Sequence, residues 1–229
     1  MPNDVPLRLR RLTVWLSVAA ALLVALNCLA IAWAAVQTDG EAVLPYVRML
    51  IFDFEGNIPT WFSSALLLYS AILLAILAGD AASTDRPFAN HWRLLAALFV
   101  CLSLDEAASL HEMVDEPLRT LGTSGILYHA WILPAGAALV ALALAYRRFL
   151  VALPSGLRRR ILIAAALYVG GAIGMEMAGG WWREAHGTLN LVYGAIMTVE
   201  ETLEIIGLLV FTHALAGEIA SRRLRLAPS

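Results

Sequence analysis

Apolar runs dominate the chain and recur six times along it. A transmembrane helix needs about 20 consecutive apolar residues, and six stretches reach that length, at about residues 12–36, 59–79, 93–114, 127–147, 159–180 and 189–216. The polar segments between them are short, which leaves no length for a separate soluble domain. The pattern predicts an all-α protein, an integral membrane bundle of six transmembrane helices formed as one domain by residues 1–229.

Composition agrees with a membrane protein and charge predicts its orientation. The chain is 60% hydrophobic and only 15% charged, and its mean hydropathy is +0.74. All sixteen basic residues are arginine. All of them except Arg48, Arg119 and Arg183 lie in loops or chain ends on the same predicted side of the membrane. The positive-inside rule therefore predicts that both termini are cytoplasmic. We expect a multi-pass protein of the inner (plasma) membrane, with the lipid bilayer as its main partner and no nucleic-acid partner.

Seven acidic residues interrupt the apolar stretches: Asp105, Glu106, Glu112, Glu176, Glu200, Glu201 and Glu204. Charged groups at bilayer depth are costly, so they normally face a protein interior and mark a functional site. The chain has no lysine, and the arginines within these stretches lie at the opposite, inner ends. Carboxylates without a basic partner at that depth must hold protons, bind cations or border water.

Helical periodicity predicts that these acids converge in the outer half of the membrane. The spacing along the third helix predicts that Asp105, Ser109, Glu112 and Glu116 share one face, and that Glu106 points elsewhere. In the sixth helix, Glu200 and Glu204 share a face, and Glu201 lies beside it. The fifth helix adds Glu176 close to its outer end, so three helices supply carboxylates to one region.

Carboxylates joined by an imidazole suit a divalent transition metal, and iron, manganese or zinc are the expected ions. The predicted metal ligands are Asp105, His111, Glu112, Glu176, Glu200 and Glu204, and the predicted acid–base residues are Glu112 and Glu201. In an alternative, residues 111–115 resemble the His-Glu-x-x-His pattern of zinc proteases. Asp115 then replaces the second histidine. His111 and Asp115 become ligands, Glu112 becomes the base, and Glu176 or Glu200 supplies a third ligand.

Two further segments carry structural predictions. In FDFEGNIPTWFSS, Asn57 is placed to cap the second helix and Pro59 to occupy its first turn; the alternative is a lid over a site. In the fifth helix, Gly170, Gly171 and Gly174 predict close approach to another helix, because small residues let helix backbones come together.

Four motifs, read in order, resemble an uncharacterised family of bacterial inner-membrane proteins: FDFEGNIPTWFSS, LSLDEAASLHE, GMEMAGG and EETLEIIG. The resemblance extends over roughly residues 50–210. It implies a six-helix inner-membrane protein with an acidic interior, and it implies no activity.

Three functions fit these features. The first is a membrane-embedded metal-dependent enzyme acting on a lipid-linked or apolar small molecule by hydrolysis or oxidation. The second is a proton- or cation-coupled transporter or channel that uses the intramembrane glutamates. The third is an accessory subunit of a membrane complex. Assembly into a homo-oligomer is compatible with each of them.

Overall fold

The computed structural model describes residues 4–36, 44–188 and 190–226, and these form helices with no strand. The helices are α1 Asp4–Val36, α2 Pro45–Arg48, α3 Ile58–Ser83, α4 Ala89–Ala108, α5 Leu110–Leu118, α6 Ile132–Ala152, α7 Ser155–Val169, α8 Glu176–His186 and α9 Leu191–Leu226. A π-helical segment, Gly170–Met175, joins α7 to α8. The predicted all-α class is confirmed.

Five helical segments within the described residues are long and apolar enough to cross a membrane: Arg11–Val36, Ile58–Ser83, Ile132–Ala152, Ser155–His186 and Leu191–Arg222. They correspond to five of the six predicted stretches. The third predicted stretch, 93–114, is not among them. Its helix, Ala89–Ala108, is long enough to span, but it contains the charged residues Arg93, Asp105 and Glu106.

The third predicted stretch is also interrupted at Ser109, where the prediction of one continuous helix is wrong. Ser109 takes a left-handed backbone conformation, with φ 51°, so α4 ends at Ala108 and α5 begins at Leu110. Beyond the break, the Asp105 carboxylate accepts the backbone N–H of His111 at 2.8 Å. A side chain has replaced a helical carbonyl as acceptor. The predicted single face is therefore broken between Asp105 and Glu112, and the side chain of Glu116 lies outside the described part of the chain.

Helix α9 is the centre of the bundle and packs against α1, α3, α7 and α8. Its middle contributes Ile205 and Leu208 to an apolar cluster with Phe62, Leu66 and Leu67 of α3. Its last third joins a larger cluster whose buried members include Leu74, Leu77, Trp92, Phe149, Phe211 and Leu215. These two layers separate an end that holds the interior acids, here called the acidic end, from the opposite, arginine end.

Close backbone contact joins the segment after α7 to α9. A Cβ atom on Gly171 would lie 2.7 Å from both the Glu200 carbonyl oxygen and the Glu204 Cγ. Likewise, one on Gly207 would lie 2.8 Å from the Tyr168 backbone nitrogen. Gly170 and Gly174 would meet nothing within 4 Å, so of the three glycines predicted to pack, only Gly171 does. π-helical segments of this kind recur at functional sites.

A buried arginine at the arginine end is paired with two acidic side chains. Arg222 of α9 is 7% exposed, and its Nη1 lies 2.7 Å from Asp80 Oδ2 of α3. Its Nε lies 2.7 Å from Glu218 Oε1, one helical turn earlier. This buried network fastens the end of α9 to the end of α3.

Candidate metal centre

The loop before α3 is anchored to two helices by a fully buried asparagine. Asn27 of α1 has no exposed surface; its Oδ1 accepts the backbone N–H of Phe52 at 2.9 Å. Its Nδ2 donates to Thr198 Oγ1 of α9 at 2.8 Å. One side chain therefore holds the chain next to Asp53 and Glu55 against both α1 and α9.

Asn57 closes the same loop and starts α3, as the sequence predicted. Its Oδ1 accepts the Thr60 backbone N–H at 2.9 Å, and its Nδ2 donates to the carbonyl oxygen of Ile51 at 2.7 Å. Pro59 lies in the first turn of α3. Glu55 is thus presented by a loop whose two ends are fixed.

Three side chains at the acidic end, the exposed Glu55 and Glu112 and the half-buried His111, come close enough together to share a metal ion. One ligand atom each from Glu55, His111 and Glu112 lie within 4.8 Å of one another. Donor atoms bound to one ion at bond lengths near 2.1 Å are separated by at most about 4.2 Å, so small side-chain rotations would bring these three into contact with a shared ion. Two carboxylates and one imidazole suit zinc, iron or manganese.

Asp105, a predicted ligand, instead orients His111. Asp105 Oδ2 lies 3.2 Å from His111 Nδ1, which leaves Nε2 as the ring nitrogen available to an ion. Carboxylates paired in this way with a ligating histidine fix its ring orientation and tautomer.

A cavity of about 330 Å³ opens beside these ligands, lined by His111, Glu112, Asp115, His129, Trp131, Glu176 and Arg183. Asp115 closes one side of it by accepting the backbone N–H groups of Ala130 and Trp131, the latter at 3.3 Å. That carboxylate is engaged with the start of α6 and lies outside the group of three ligands, which removes support from the zinc-protease alternative.

Glu176 occupies the inner side of the cavity. Its Oε1 lies 3.4 Å from His129 Nδ1 and accepts the Trp131 Nε1–H at 3.3 Å. The Glu200 carboxyl group lies near it, and the charge of Glu176 acts on Glu200. Glu200 is 9% exposed, and its Oε2 has no partner among the described residues.

The remaining glutamates lie deeper in the bundle. The charges that act on Glu201 include those of Glu106, Glu55 and Glu176, and those acting on Glu204 include Glu201 and Glu106. Helical periodicity predicted that the Glu106 side chain points away from this group. That prediction assumed a helix continuing from Asp105 through Glu112, and the helix breaks at Ser109.

Two loop carboxyl groups have shifted acidities. Both side chains are exposed at the surface, and partial desolvation of each carboxyl group by its surroundings raises its pKa. A hydrogen bond to Tyr193 opposes the shift at Asp53, and one to Ser109 opposes it at Glu55.

The structure brings two of the six predicted ligands, His111 and Glu112, into one group with Glu55. Asp105 positions His111, whereas Glu176, Glu200 and Glu204 lie beside or behind the group. Of the two predicted acid–base residues, Glu112 lines the cavity and Glu201 does not. Sequence reasoning missed Glu55 and Arg183, and it left His129 out of the predicted site residues. The FDFEGN segment held a signal for Glu55, because an acid placed before a helix cap can turn toward the bundle.

The chain belongs to the family described as Domain of unknown function (DUF8692), whose model matches residues 13–217. An uncharacterised family was expected from the four motifs, and this expectation is confirmed. Its bacterial origin and six-helix topology stay predictions. No curated protein and no solved structure matches the chain.

Proposed function

We propose that the protein is a membrane-embedded, metal-dependent hydrolase whose site lies at the acidic end of the bundle. The observation that carries this proposal is the group formed by Glu55, His111 and Glu112 at the wall of the cavity. Three protein ligands leave coordination positions open for water and substrate, as catalytic metal sites require.

The roles of the surrounding residues follow from their positions. Glu55, His111 and Glu112 hold the ion, and Asp105 fixes the imidazole of His111. A divalent ion in this place supplies Lewis acidity and an activated water. His129 and Glu176 lie 3.4 Å apart on the cavity wall, so they form a pair that can accept a proton and return it.

Hydrolysis gives each of these groups a role. The oxygen of a water molecule attacks the electrophilic atom of the substrate, and the bond from that atom to the leaving group breaks. The proton lost by the water passes to the pair formed by His129 and Glu176. The same pair protonates the leaving group, and the hydroxyl group from water remains on the other product. Oxidation would need a further co-reactant, so hydrolysis is the reaction that these residues support best.

The proposed site faces the outside of the cell. Arginines concentrate at the opposite end of the bundle, and the positive-inside rule assigns that end to the cytoplasm. We therefore place a six-span protein in the plasma membrane with both termini inside, and the substrate reaches the site from the outer leaflet or from the space beyond it.

Proton or cation transport is the second candidate, and the buried carboxyl group of Glu200 favours it. Intramembrane carboxyl groups are common proton relays. The packing of the arginine half opposes a continuous path, because Leu77, Phe211 and Leu215 belong to a buried apolar cluster there. In addition, the rings of Phe99 and Phe211 stack with centroids 4.9 Å apart.

Metal content measured by elemental analysis of the protein in mild detergent tests the proposal. We expect stoichiometric zinc, iron or manganese in the unmodified protein and its loss in Glu55→Gln and Glu112→Gln. Asp105→Asn should weaken metal affinity by about 10- to 100-fold, as expected for a partner of a ligating histidine. Asp85→Asn, at an exposed loop position of the arginine end, is the matched control.

Metal retained in both glutamine variants would overturn the assignment of the ligands. If the unmodified protein binds none of the three metals, the hydrolase proposal fails and transport becomes the leading function. Loss of metal in Glu200→Gln alone, with the ligand variants unaffected, would assign the metal site to the deeper glutamates instead.

A further inference from the structure

Arg183 is the basic side chain of the cavity wall. It lies near the end of α8, and its guanidinium carbon is 5.6 Å from the centroid of the Tyr128 ring. Within the described part of the chain, no carboxylate lies at ion-pair distance from it. This contrasts with Arg222, which has two such carboxylates.

The acids of the same cavity are engaged elsewhere. Glu112 belongs to the metal-ligand group, and Asp115 accepts backbone N–H groups at the start of α6. Glu176 contacts His129 and accepts a hydrogen bond from Trp131. The charge of Arg183 acts on Asp53, but no described carboxylate pairs with its guanidinium directly, so the guanidinium is placed to receive an anionic group of a ligand.

We propose that the cavity binds the phosphate group of a substrate, with the Arg183 guanidinium on one side and the metal centre on the other. Planar guanidinium groups bind phosphate oxygens through paired, charge-assisted hydrogen bonds. A divalent ion across the cavity would contact another oxygen of the same group. This inference deepens the proposed function by naming the substrate class, and it depends on that function for the reaction but not for the binding.

The surroundings place such a phosphate at a membrane interface. The cavity volume is at the small end of the range for ligand sites, so it accommodates a headgroup and leaves acyl chains outside. The face of α5 away from the cavity exposes Leu110, Met113 and Val114, and Met113 is 70% exposed. An apolar surface beside a polar cavity suits a phosphate that is attached to a lipid, although a free phosphate compound offers the same group.

Native mass spectrometry of the detergent-purified protein tests the binding directly. The probes are short-chain phosphatidic acid, diacylglycerol with the same chains as a phosphate-free control, and inorganic phosphate as a competitor. Binding is measured on metal-loaded and on metal-depleted protein, and metal content is determined on the same samples. The variants are Arg183→Gln, Arg183→Lys and, as a matched control, Arg48→Gln, an exposed arginine of the acidic end.

We expect the unmodified protein to retain phosphatidic acid in preference to diacylglycerol. Arg183→Gln should weaken this binding about 10- to 100-fold, the effect of losing a hydrogen bond to a charged group. Arg183→Lys should retain part of the binding, and Arg48→Gln all of it. Competition by inorganic phosphate at similar concentration supports a soluble phosphate compound, and its failure to compete supports a lipid.

Equal binding of phosphatidic acid by the unmodified protein and Arg183→Gln would overturn the inference, as would equal binding of diacylglycerol. These results are separable from failure of the proposed function. If the protein binds no metal, the elemental analysis will show it. The contribution of Arg183 to phosphate binding is measured separately, on metal-depleted protein.

Discussion

Charged side chains are paired differently at the two ends of the bundle. At the arginine end, Arg222 contacts Asp80 and Glu218, so buried charges of opposite sign lie together. At the acidic end, none of the seven interior acids has an arginine at ion-pair distance in the described part of the chain. Their partners are His111, His129 and other carboxyl groups.

This difference separates a structural use of charge from a functional one. A buried ion pair is neutralised by its own members and joins two helices. An excess of carboxylates is costly to bury, and it makes chemical sense where protons or metal ions complete the neutralisation. The acidic end therefore carries the candidate chemistry, while the arginine end holds α3 and α9 together.

The largest effect on stability is expected from breaking the arginine network. Arg222→Ala leaves Asp80 and Glu218 without their shared partner, and removing one member of a buried pair costs about 3–5 kcal/mol of unfolding free energy. Arg86→Ala is the control, because its Nη1 lies 3.9 Å from Asp80 Oδ2 at a more exposed position, and exposed pairs contribute about 0–1 kcal/mol. Chemical unfolding in detergent measures both. Equal losses in the two variants would show that burial does not distinguish these contacts.

A smaller effect is expected where the acidic end depends on close backbone packing. Gly171→Ala places a Cβ atom 2.7 Å from the Glu204 Cγ and from the Glu200 carbonyl oxygen, and such overpacking costs about 1–3 kcal/mol. Gly170→Ala meets nothing within 4 Å and should be neutral or slightly stabilising, because alanine favours helix. The same unfolding measurement compares them. A neutral Gly171→Ala would mean that α9 can move away without loss.

The sequence was sufficient to predict the parts of the fold that depend on composition. Long apolar stretches predicted the helices that cross the bundle, and Asn57 and Pro59 predicted the start of α3. The acids of α8 and α9 were expected to lie close together. Both helices are uninterrupted between the acidic end of the bundle and these residues, so counting along each helix gives the depth of its acids. Local periodicity carries this information wherever the helix is unbroken.

The structure departed from prediction where a side chain competed with the helix. Asp105 accepts the His111 N–H, and Ser109 turns the chain. Helical periodicity assumed across residues 105–116 therefore gave a wrong direction for Glu106 and a wrong role, that of metal ligand, for Asp105. Glu55 was missed for a related reason. Its position depends on Asn27, a contact across 25 residues of sequence, and no periodicity within the loop encodes such a contact.

The smallest effect is expected from the titration of Asp53 in the loop of the acidic end. Partial desolvation raises the pKa of Asp53 above its ordinary value, against the opposing hydrogen bond to Tyr193 and the charge of Arg183. Between the unfolded and the raised folded pKa, the folded state therefore binds more protons than the unfolded state. The free energy of unfolding should accordingly fall as pH rises through this window and recover on mild acidification.

Thermal unfolding of metal-depleted protein at mildly acidic and neutral pH measures this contribution. Asp53→Asn removes the titrating group, so its gain in stability on acidification should be smaller than that of the unmodified protein. Part of the gain should persist, because partial desolvation also raises the pKa of Glu55. Asp85→Asn at the arginine end should leave the pH dependence unchanged. An Asp53→Asn profile identical to that of the unmodified protein would show that this carboxylate is solvated as well in the fold as in the unfolded chain, and the contrast between the two ends would then rest on the acids inside the bundle.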